Sequence, residues 1–247
     1  MKRIPRPEHP RPQMQRDQWL NLNGTWQFET DHGKSGRARG LFDERKLDSV
    51  ITVPFCPESE LSGVNNKDFM ECVWYKREAD IKGEWLENGR RTLLHIDACD
   101  HQTEVWVNGS SVGTHIGGYV SFLFDITRYL KEGNNIITVC ATDLLRSNNQ
   151  PGGKQSTGFY SKGCNYTRTT GIWQTVWLEN VADSYIASFR CTPNIENSTL
   201  HIDALCVNAH GQTVTATAYY KGHETGSSQG TVSGKHAILE ISLYELH

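Results

Sequence analysis

The sequence predicts an all-β chain that folds into one antiparallel sandwich and then begins a second. Short runs of β-branched and aromatic residues recur along its length and are separated by Gly, Asn, Asp and Pro. Such runs are typical of strands joined by turns. Long stretches with apolar residues at helical spacing are missing, and many short strands with little helix favour a sandwich. With 247 residues, the chain is also longer than one average domain.

The composition argues against several classes of partner. Lys and Arg number 25 against 28 Asp and Glu, so the net charge is −3 and no basic field attracts nucleic acid. No apolar run approaches the roughly 18 residues needed to span a bilayer. The basic first residues are not followed by an apolar segment, so no secretory signal is expected. We therefore expect a soluble, cytoplasmic protein with neither nucleic-acid nor membrane partners.

Seven cysteines are spread along the chain without a Cys-x-x-Cys pair. An odd, dispersed set favours reduced and mostly buried thiols over a disulfide framework. Cys99, Asp100 and His101 form the one tight Cys/His cluster, but neighbours on an extended strand point to alternate faces. Zinc sites need ligands at short, paired spacings, so we expect no metal. Phosphate-binding and dinucleotide-binding glycine motifs are also missing, and we expect no cofactor.

The chain begins with an arm, residues 1–13, whose first twelve residues carry four prolines and four basic side chains. Proline removes backbone donors and favours extended structure, so the arm is expected to lie outside the core. A turn at Asn23-Gly24 leads into the first strand, residues 26–28. Residues 31–49 are rich in Gly, Lys, Arg and Asp and are expected to form a solvated loop.

Further strands are expected at short intervals. The candidates up to residue 178 are 50–53, 73–81, 92–98, 103–107, 121–124, 135–142 and 173–178. Asn108-Gly109 tolerates the positive φ values of a type I′ turn and predicts a hairpin there. The one helical signal is short, because Asp125 can cap residues 126–131 and Gly133 can close the helix.

A second unit is expected to begin near Asp183. Its four predicted strands are 185–190, 199–207, 213–220 and 236–243. An immunoglobulin-like sandwich takes about 100 residues and seven strands. We therefore expect a partial sandwich with open strand edges and an uncovered apolar face. Residues 184–247 are expected to be poorly ordered or covered by a neighbouring chain.

The residues of this chain predict no catalytic centre. Gly-x-Ser-x-Gly and His-Glu-x-x-His are missing. Two carboxylate pairs, Asp97 with Asp100 and Asp68 with Glu71, could support general acid–base work. Both pairs lie on or beside strands among polar residues, and we interpret them as solvated.

Residues 143–170 form a connection far longer than a typical hairpin loop, which suggests a function. The segment mixes aromatic rings, which can stack on sugar faces, with side chains that can bond hydroxyl groups. The candidates for hydroxyl bonding are Asn165, Arg168, Lys154 and Gln155. The aromatic candidates are Phe159, Tyr160, Tyr166 and Trp173. These rings could instead simply anchor the loop to the sandwich, and both interpretations stay open.

Short motifs follow a fixed order between residues 6 and 179. The first are Leu20-Asn21-Leu22-Asn23-Gly24-x-Trp26-x-Phe28, Val53-Pro54-Phe55-Cys56-Pro57-Glu58-Ser59 and Val73-Trp74-Tyr75. The later ones are Glu104-Val105-Trp106-Val107-Asn108-Gly109, Gly117-Gly118-Tyr119, Phe124-Asp125-Ile126-Thr127, Asn134-Asn135 and Thr169-Thr170-Gly171-Ile172-Trp173-Gln174-Thr175-Val176-Trp177-Leu178-Glu179. In this order they resemble glycoside hydrolase family 2, which includes β-galactosidases, β-glucuronidases and β-mannosidases.

The resemblance implies a domain organisation. Members begin with a jelly-roll, galactose-binding-like domain, followed by an immunoglobulin-like domain and a TIM barrel with the catalytic glutamates. Residues 14–183 are similar to the jelly roll, and residues 184–247 to the start of the immunoglobulin-like domain. The barrel is not in this sequence. The family's acid/base glutamate follows an asparagine, and the chain contains no Asn-Glu dipeptide.

The resemblance also implies substrate-binding positions. In relatives, a loop just before the Gly-Ile-aromatic motif supplies a carboxylate that reaches the substrate. The matching position here is Asn165, which keeps an acceptor but loses the charge. The further candidates, by position in this loop and in the loop before residue 73, are Arg168, Lys154, Gln155, Asn65 and Asn66.

The leading hypothesis is that the chain is the amino-terminal, non-catalytic part of a retaining family 2 β-glycosidase. Its implied partners are a β-glycoside substrate and its own catalytic barrel, with self-association into a homo-oligomer left open. The chain alone is expected to show no turnover. The alternative is a stand-alone carbohydrate-binding module, and a third hypothesis is a structural fragment that serves only as an oligomer interface.

Overall fold

The computed structural model describes residues 4–43 and 45–244, and these residues divide into two compact units. The first unit ends at Asn180 and the second begins at Val181. Strands dominate both units, which confirms the predicted all-β fold class. None of the helices in the described residues is long and apolar enough to cross a membrane.

Twelve strands lie in the described residues of the first unit. They are β1 (Trp19–Asn21), β2 (Gly24–Thr30), β3 (Ser49–Val53), β4 (Cys72–Ile81), β5 (Arg91–Ile96), β6 (Cys99–Asp100), β7 (Gln102–Val107), β8 (Ser110–Ile116), β9 (Phe122–Asp125), β10 (Gly133–Thr142), β11 (Gly171–Ile172) and β12 (Val176–Val181). Short 3-10 helices lie at Glu60–Ser62, Gly83–Trp85, Thr127–Tyr129 and Leu145–Ser147.

The first unit is a sandwich of two main sheets. One sheet has the strand order β3-β2-β4-β10-β7-β8 and the other β1-β12-β5-β9, while β11 and β6 form a small third sheet. Both main sheets contribute side chains to one core, including Trp26, Tyr75, Leu94 and Leu178. Full burial of each large apolar side chain contributes about 1.5–3 kcal/mol, so this shared core holds the sheets together.

The hairpin predicted at Asn108-Gly109 is confirmed. These residues join β7 to β8 with φ values of 50° and 77°. The predicted helix is shorter than expected, since only Thr127–Tyr129 is helical. The Asp125 carboxylate accepts a hydrogen bond from the Thr127 N–H across 3.0 Å.

The predicted strand 173–178 is wrong at its start. Gly171–Ile172 and Val176–Val181 are separate strands. Trp173 lies between them and donates from its Nε1 to the Gly118 carbonyl across 2.8 Å. This tie to a loop replaces the ladder pairing that the aromatic run predicted.

The prediction of a solvated loop for residues 31–49 is wrong for its apolar positions. Leu41 and Leu47 are buried with Trp74 and Trp106 on the outer face of the six-stranded sheet. The loop shields the two indole rings from water, and its two leucines are buried against them because burial of apolar surface is favourable. The Asp31 carboxylate holds the start of the loop.

That carboxylate accepts hydrogen bonds from several groups at once. Oδ2 accepts from the Gly36 N–H across 2.7 Å and from the Trp74 indole across 3.2 Å. Oδ1 accepts from the Ser35 N–H across 3.0 Å. Asp31 is only 3% exposed, so these donors replace its hydration.

The described part of the arm, residues 4–13, packs against the four-stranded sheet. The His9 ring lies edge-on to Trp19 at 4.7 Å and to Trp177 at 5.3 Å between ring centroids. Asn21 and Asn23 donate from their side-chain amides to the carbonyls of Arg6 and Pro5. Trp177 is fully buried in this arrangement.

Up to residue 244, where the described part of the chain ends, the second unit contains five strands rather than the four that the sequence predicts. They are β13 (Tyr185–Asn194), β14 (Thr199–Val207), β15 (Thr213–Tyr220), β16 (His223–Thr231) and β17 (His236–Ser242). The strands form the sheets β13-β14-β17 and β15-β16, with a small core that includes Cys206, Val232 and Leu239. The missed strand is β16, whose run of Gly, Ser, Gln and Glu carries little β signal.

Candidate functional site

Three segments between strands of the first unit contact one another. They are the segments 54–71, 117–121 and 143–170, and we call them the loop cluster. Phe69 of the first segment contacts the Phe159 ring of the third at 5.1 Å between centroids. The second segment meets the third through Tyr119, whose hydroxyl accepts from Gln155 across 3.0 Å. The loop cluster therefore contains most of the predicted site residues.

Gln155 is the best-anchored member of the predicted set. Its side-chain amide donates to Asp100 Oδ2 across 2.7 Å as well as to Tyr119. Its Oε1 accepts from the Thr169 N–H across 2.7 Å. Because both ends of the amide are engaged, Gln155 positions the loop instead of offering free groups to a ligand.

Asp100 is buried, so its interpretation as part of a solvated carboxylate pair is wrong. The residue is 1% exposed, and its Oδ1 has no hydrogen-bond partner. Burial, followed by the neighbouring Asp143 carboxylate, raises the pKa of Asp100 to about 6, although the Gln155 hydrogen bond lowers it. A Cβ at Gly118 would lie 2.2 Å from Oδ1, so only glycine fits there.

Asp97 is half-buried. Burial raises its pKa, while a hydrogen bond from the Trp177 indole, across 3.3 Å, lowers it. This residue belongs to the four-stranded sheet and its neighbours, not to the loop cluster.

Arg168 lies beneath the surface of the loop cluster. It is 2% exposed, and its guanidinium carbon is 3.8 Å from the centroid of the Phe69 ring. Nη1 donates to the Gly158 carbonyl across 3.3 Å. Burial lowers the pKa of Arg168. The sequence predicts a hydroxyl-binding role for Arg168, but its buried side chain instead bonds the backbone of the loop at Gly158.

Asn165 and Lys154 lie on the exposed side of the same loop. Asn165 is exposed and pairs with Lys162 in an isolated antiparallel bridge. Lys154 is exposed, and its carbonyl accepts from the Tyr166 N–H across 2.8 Å. The Tyr160 and Tyr166 rings are 87% and 60% exposed, which leaves rings and polar groups together at the surface.

Asn65 and Asn66 form a turn in the first segment of the loop cluster. Asn65 has a φ of 48°, a left-handed conformation that asparagine tolerates. Asn66 donates its N–H to the Pro57 carbonyl across 3.0 Å and accepts from the Asp68 N–H across 2.9 Å. These bonds stay within the segment and do not join it to Asn165.

Several residues in or beside the loop cluster were not predicted as site residues. They are Glu58, Phe69, Asp100, Tyr119 and Gly118. Glu58 is 4% exposed and accepts from the Thr170 N–H across 3.2 Å. Burial raises its pKa, against hydrogen bonds that lower it. Since their partners lie far along the chain, no local spacing signals them.

The arrangement supports binding more than catalysis. Its Glu58 and Asp143 carboxyl groups, like that of the neighbouring Asp100, are nearly inaccessible. Asn165, Lys154 and two tyrosine rings are exposed. Aromatic faces and amide groups suit stacking on sugars and bonding of hydroxyls. In residues 4–43 and 45–244, no three His, Cys, Asp or Glu side chains are grouped so that they could hold a metal ion.

Comparison with known proteins identifies a family for most of the first unit. Residues 20–181 match the family profile described as Glycosyl hydrolases family 2, sugar binding domain. The chain is 25% identical over 251 residues to a β-glucuronidase of Paenibacillus borealis, covering 92% of this chain and 41% of that protein. It is 30% identical over 170 residues to a β-galactosidase of Thermoanaerobacter pseudethanolicus, covering 68% of this chain and 21% of that protein.

Solved structures share the fold. The β-glucuronidase of Bifidobacterium dentium, solved as a complex with coumarin-3-O-glucuronide, superposes with a TM-score of 0.75 at 20% identity. The superposition covers 94% of this chain and 43% of that one. The chain thus spans less than half the length of each of these relatives.

Proposed function

Because this chain belongs to glycoside hydrolase family 2, through a sugar-binding domain that takes up most of its first unit, we propose that it is the amino-terminal, non-catalytic part of a β-glycosidase. The named relatives are β-glucuronidases and a β-galactosidase, so the proposed substrate is a β-glycoside. In the complete enzyme, this part would shape the substrate pocket and leave bond cleavage to carboxylates elsewhere.

The proposed mechanism of the complete enzyme is retaining. One carboxylic acid protonates the glycosidic oxygen while a second carboxylate attacks the anomeric carbon. Both groups must reach the substrate. Asp100 and Glu58 are 1% and 4% exposed, so neither is placed for these roles. The family's acid/base glutamate follows an asparagine, and the sequence has no Asn-Glu dipeptide, so we assign no catalytic residue to this chain.

One observation supports the binding role above the others. The loop of residues 154–166 exposes Asn165 and Lys154. Gln155 in the same loop is held by hydrogen bonds to the buried Asp100 carboxylate and from the Thr169 N–H. A loop held on a buried frame presents its polar groups with little loss of entropy on binding. Asn165 would offer an amide to a sugar hydroxyl where relatives offer a carboxylate.

The proposal is tested by titrating the ¹⁵N-labelled chain with galactose, glucuronic acid, mannose and their β-linked disaccharides. Saturable shifts at Asn165 and its neighbours, with no hydrolysis of aryl β-glycosides, are expected. Shifts that occur only in the second unit, or turnover that copurifies with the chain, would contradict the assignment. Asn165→Ala should weaken the response, whereas the matched Asn197→Ala, in the second unit, should not.

The alternative of a stand-alone carbohydrate-binding module draws support from the exposed rings of Phe159, Tyr160 and Tyr166. Such a module would bind an isolated sugar through stacking, so Tyr160→Ala would abolish the shifts. A pocket-forming role predicts a smaller effect of Tyr160→Ala and a larger effect of Asn165→Ala.

A further inference from the structure

Three Asn-Gly pairs occur in the chain, and their asparagines are Asn23, Asn88 and Asn108. An asparagine before glycine is prone to spontaneous deamidation, because glycine has no side chain to hinder attack of its backbone nitrogen on the asparagine amide. The reaction also needs an asparagine side chain that is free to rotate and open to water. The structure places the three pairs in different surroundings.

Asn23 is buried, and both ends of its side-chain amide are hydrogen-bonded. The residue is 0% exposed. Nδ2 donates to the Pro5 carbonyl and to Thr175 Oγ1, each across 3.2 Å, and Oδ1 accepts from the Val176 N–H across 3.1 Å. Attack on Cγ requires the amide to leave these partners, so the fold protects Asn23.

Asn108 lies at the surface, but its amide is held by as many bonds. Nδ2 donates to the Tyr129 carbonyl and to Asn135 Oδ1, each across 2.8 Å. Oδ1 accepts from the Ile136 N–H across 2.9 Å. Each hydrogen bond that must break before the attack slows the reaction by roughly twofold to tenfold. Asn108 is therefore protected although it is exposed.

Asn88 has neither form of protection. Asn88 and Gly89 are both exposed, in the turn that leads from the 3-10 helix Gly83–Trp85 to β5. Among residues 4–43 and 45–244, no group forms a hydrogen bond with the Asn88 side chain. The turn is closed by the Arg90 N–H, which donates to the Glu87 carbonyl across 3.0 Å.

Backbone conformation does not distinguish Asn88 from Asn108. Their φ values are 54° and 50°, and the following glycines, Gly89 and Gly109, have φ values of 68° and 77°. All four values are left-handed, as in a type I′ turn. The difference between the two pairs therefore lies in the hydrogen bonds of the asparagine amide.

We propose that Asn88 is a site of spontaneous deamidation and isoaspartate formation in the folded chain, whereas Asn23 and Asn108 are not. Hydroxide removes the proton of the Gly89 N–H, and this nitrogen forms a bond to Asn88 Cγ. The Cγ–Nδ2 bond breaks, and Nδ2 leaves as ammonia with a proton taken from water, which regenerates hydroxide. The product is a succinimide ring.

Water then opens the ring at one of its two carbonyl carbons. Addition at Cγ breaks the bond between Cγ and the Gly89 nitrogen and gives aspartate. Addition at the backbone carbonyl carbon of residue 88 breaks the original peptide bond and gives isoaspartate, whose chain continues through Cγ. The modification is independent of the proposed function, because it requires only water and this turn.

Isoaspartate would alter the turn in two ways. It adds one carbon to the backbone between Glu87 and Arg90, so the carbonyl and the N–H that close the turn no longer align. It also leaves a free carboxylate, which a protein carboxyl methyltransferase can methylate. Arg90 Nη2 donates to the Asn180 carbonyl across 3.2 Å, so a change in the turn extends to β12. We expect faster amide exchange at Arg90 in the modified chain.

The test incubates the full chain at mildly alkaline pH and follows each Asn-Gly peptide by mass spectrometry after digestion at acidic pH. A protein carboxyl methyltransferase with labelled S-adenosylmethionine measures isoaspartate. Asn88 should be converted at least about tenfold faster than Asn23 or Asn108, because hydrogen bonds hold the other two amides. In denaturant the three rates should lie within about threefold of one another, since the fold no longer holds any amide.

A variant assigns the isoaspartate to residue 88. Asn88→Gln should remove most of the methyltransferase signal, because glutamine would have to form a larger ring. The matched control is Asn148→Gln, which replaces another exposed asparagine with a left-handed φ, 58°, and should leave the signal unchanged. Equal rates at Asn88 and Asn108 in the folded chain would overturn the proposal. The same holds for a rate ratio that denaturant does not change, or for an undiminished signal in Asn88→Gln.

Discussion

The side-chain amide of Gln155 donates to the buried carboxylate of Asp100 across 2.7 Å, although 55 positions separate the two residues in the chain. This bond ties the long loop to the interior of the first unit. Gln155 also accepts from the Thr169 N–H, so one side chain holds both ends of the exposed loop. The exposed residues Asn165 and Tyr166 depend on it for their position.

Gln155→Ala should release the loop without unfolding the sandwich. We expect faster amide exchange at Thr169 and faster proteolysis between residues 154 and 168, because the Asp100 and Thr169 bonds are both lost. The loss of stability should be about 1–2 kcal/mol, since the core is untouched. Gln15→Ala, at an exposed position of the same unit, is the control and should change neither property. Unaltered exchange at Thr169 in Gln155→Ala would show that the loop is held by other contacts.

Asp100 should give the stability of the first unit a distinct pH dependence. Burial and Asp143 raise its pKa to about 6, above its value in the unfolded chain, so the folded state binds the proton more tightly. The contribution of Asp100 is therefore fully favourable below about pH 4 and is lost as the pH rises through 6. About 3 kcal/mol is the upper bound for a shift of this size.

Thermal unfolding from pH 4.5 to 7.5 isolates this contribution when the wild type is compared with Asp100→Asn. The asparagine retains an acceptor for Gln155 but does not titrate. We expect the wild type to gain stability relative to Asp100→Asn as the pH falls, because other titrating groups cancel in the difference. Parallel curves for the two proteins would mean that Asp100 does not titrate in this range.

Asp31 should be among the most sensitive positions in the loop that covers Trp74 and Trp106. Burial alone would raise the pKa of Asp31, but hydrogen bonds from Gly36, Ser35 and the Trp74 indole hold it below its usual value. Asp31→Ala leaves these donors unsatisfied and should cost about 2–4 kcal/mol, measured by chemical denaturation. Asp48→Ala, at an exposed carboxylate near the end of the same loop, should stay within about 0.5 kcal/mol of the wild type. Similar losses for both variants would argue against the buried network.

Two thiols should react rapidly with a maleimide in the folded chain. Cys164 and Cys191 are exposed, whereas Cys72, Cys99, Cys140 and Cys206 are buried. Burial raises the pKa of Cys99 to about 12 and that of the half-buried Cys56 to about 11, which further lowers their reactivity. Intact-mass analysis should show two fast adducts, and all seven thiols should react in denaturant. Rapid labelling of a third thiol would show that the core opens locally.

Local sequence signals determined the strands better than they determined the site. The Asn108-Gly109 turn needs only its own two residues and was predicted correctly. The polar composition of residues 31–49 predicts a solvated loop and does not signal the burial of Leu41 and Leu47, since their partners Trp74 and Trp106 are remote in sequence. Strand β16 was missed because small residues dominate it.

Packing explains why such residues form a strand. Added Cβ atoms at Gly226 and Gly230 would lie 2.2 Å and 2.6 Å from backbone oxygens of Ser242 and Ile238. The close approach of β16 to β17 requires glycine at both positions, and no pattern of alternating apolar residues signals it. Gln155 was likewise predicted as a binding residue, and its engagement with Asp100 depends on a tertiary contact that spacing does not show.

The fluorescence of Trp177 should report whether the arm is packed against the sheet. Trp177 is stacked on the His95 ring at 3.9 Å on one side and meets the edge of His9 from the arm. Removal of the arm would expose this indole to water and separate it from an imidazole, and both changes alter tryptophan emission. Comparing the emission of the wild type with that of Trp177→Phe would therefore report whether the proline-rich segment is seated, without any attached dye.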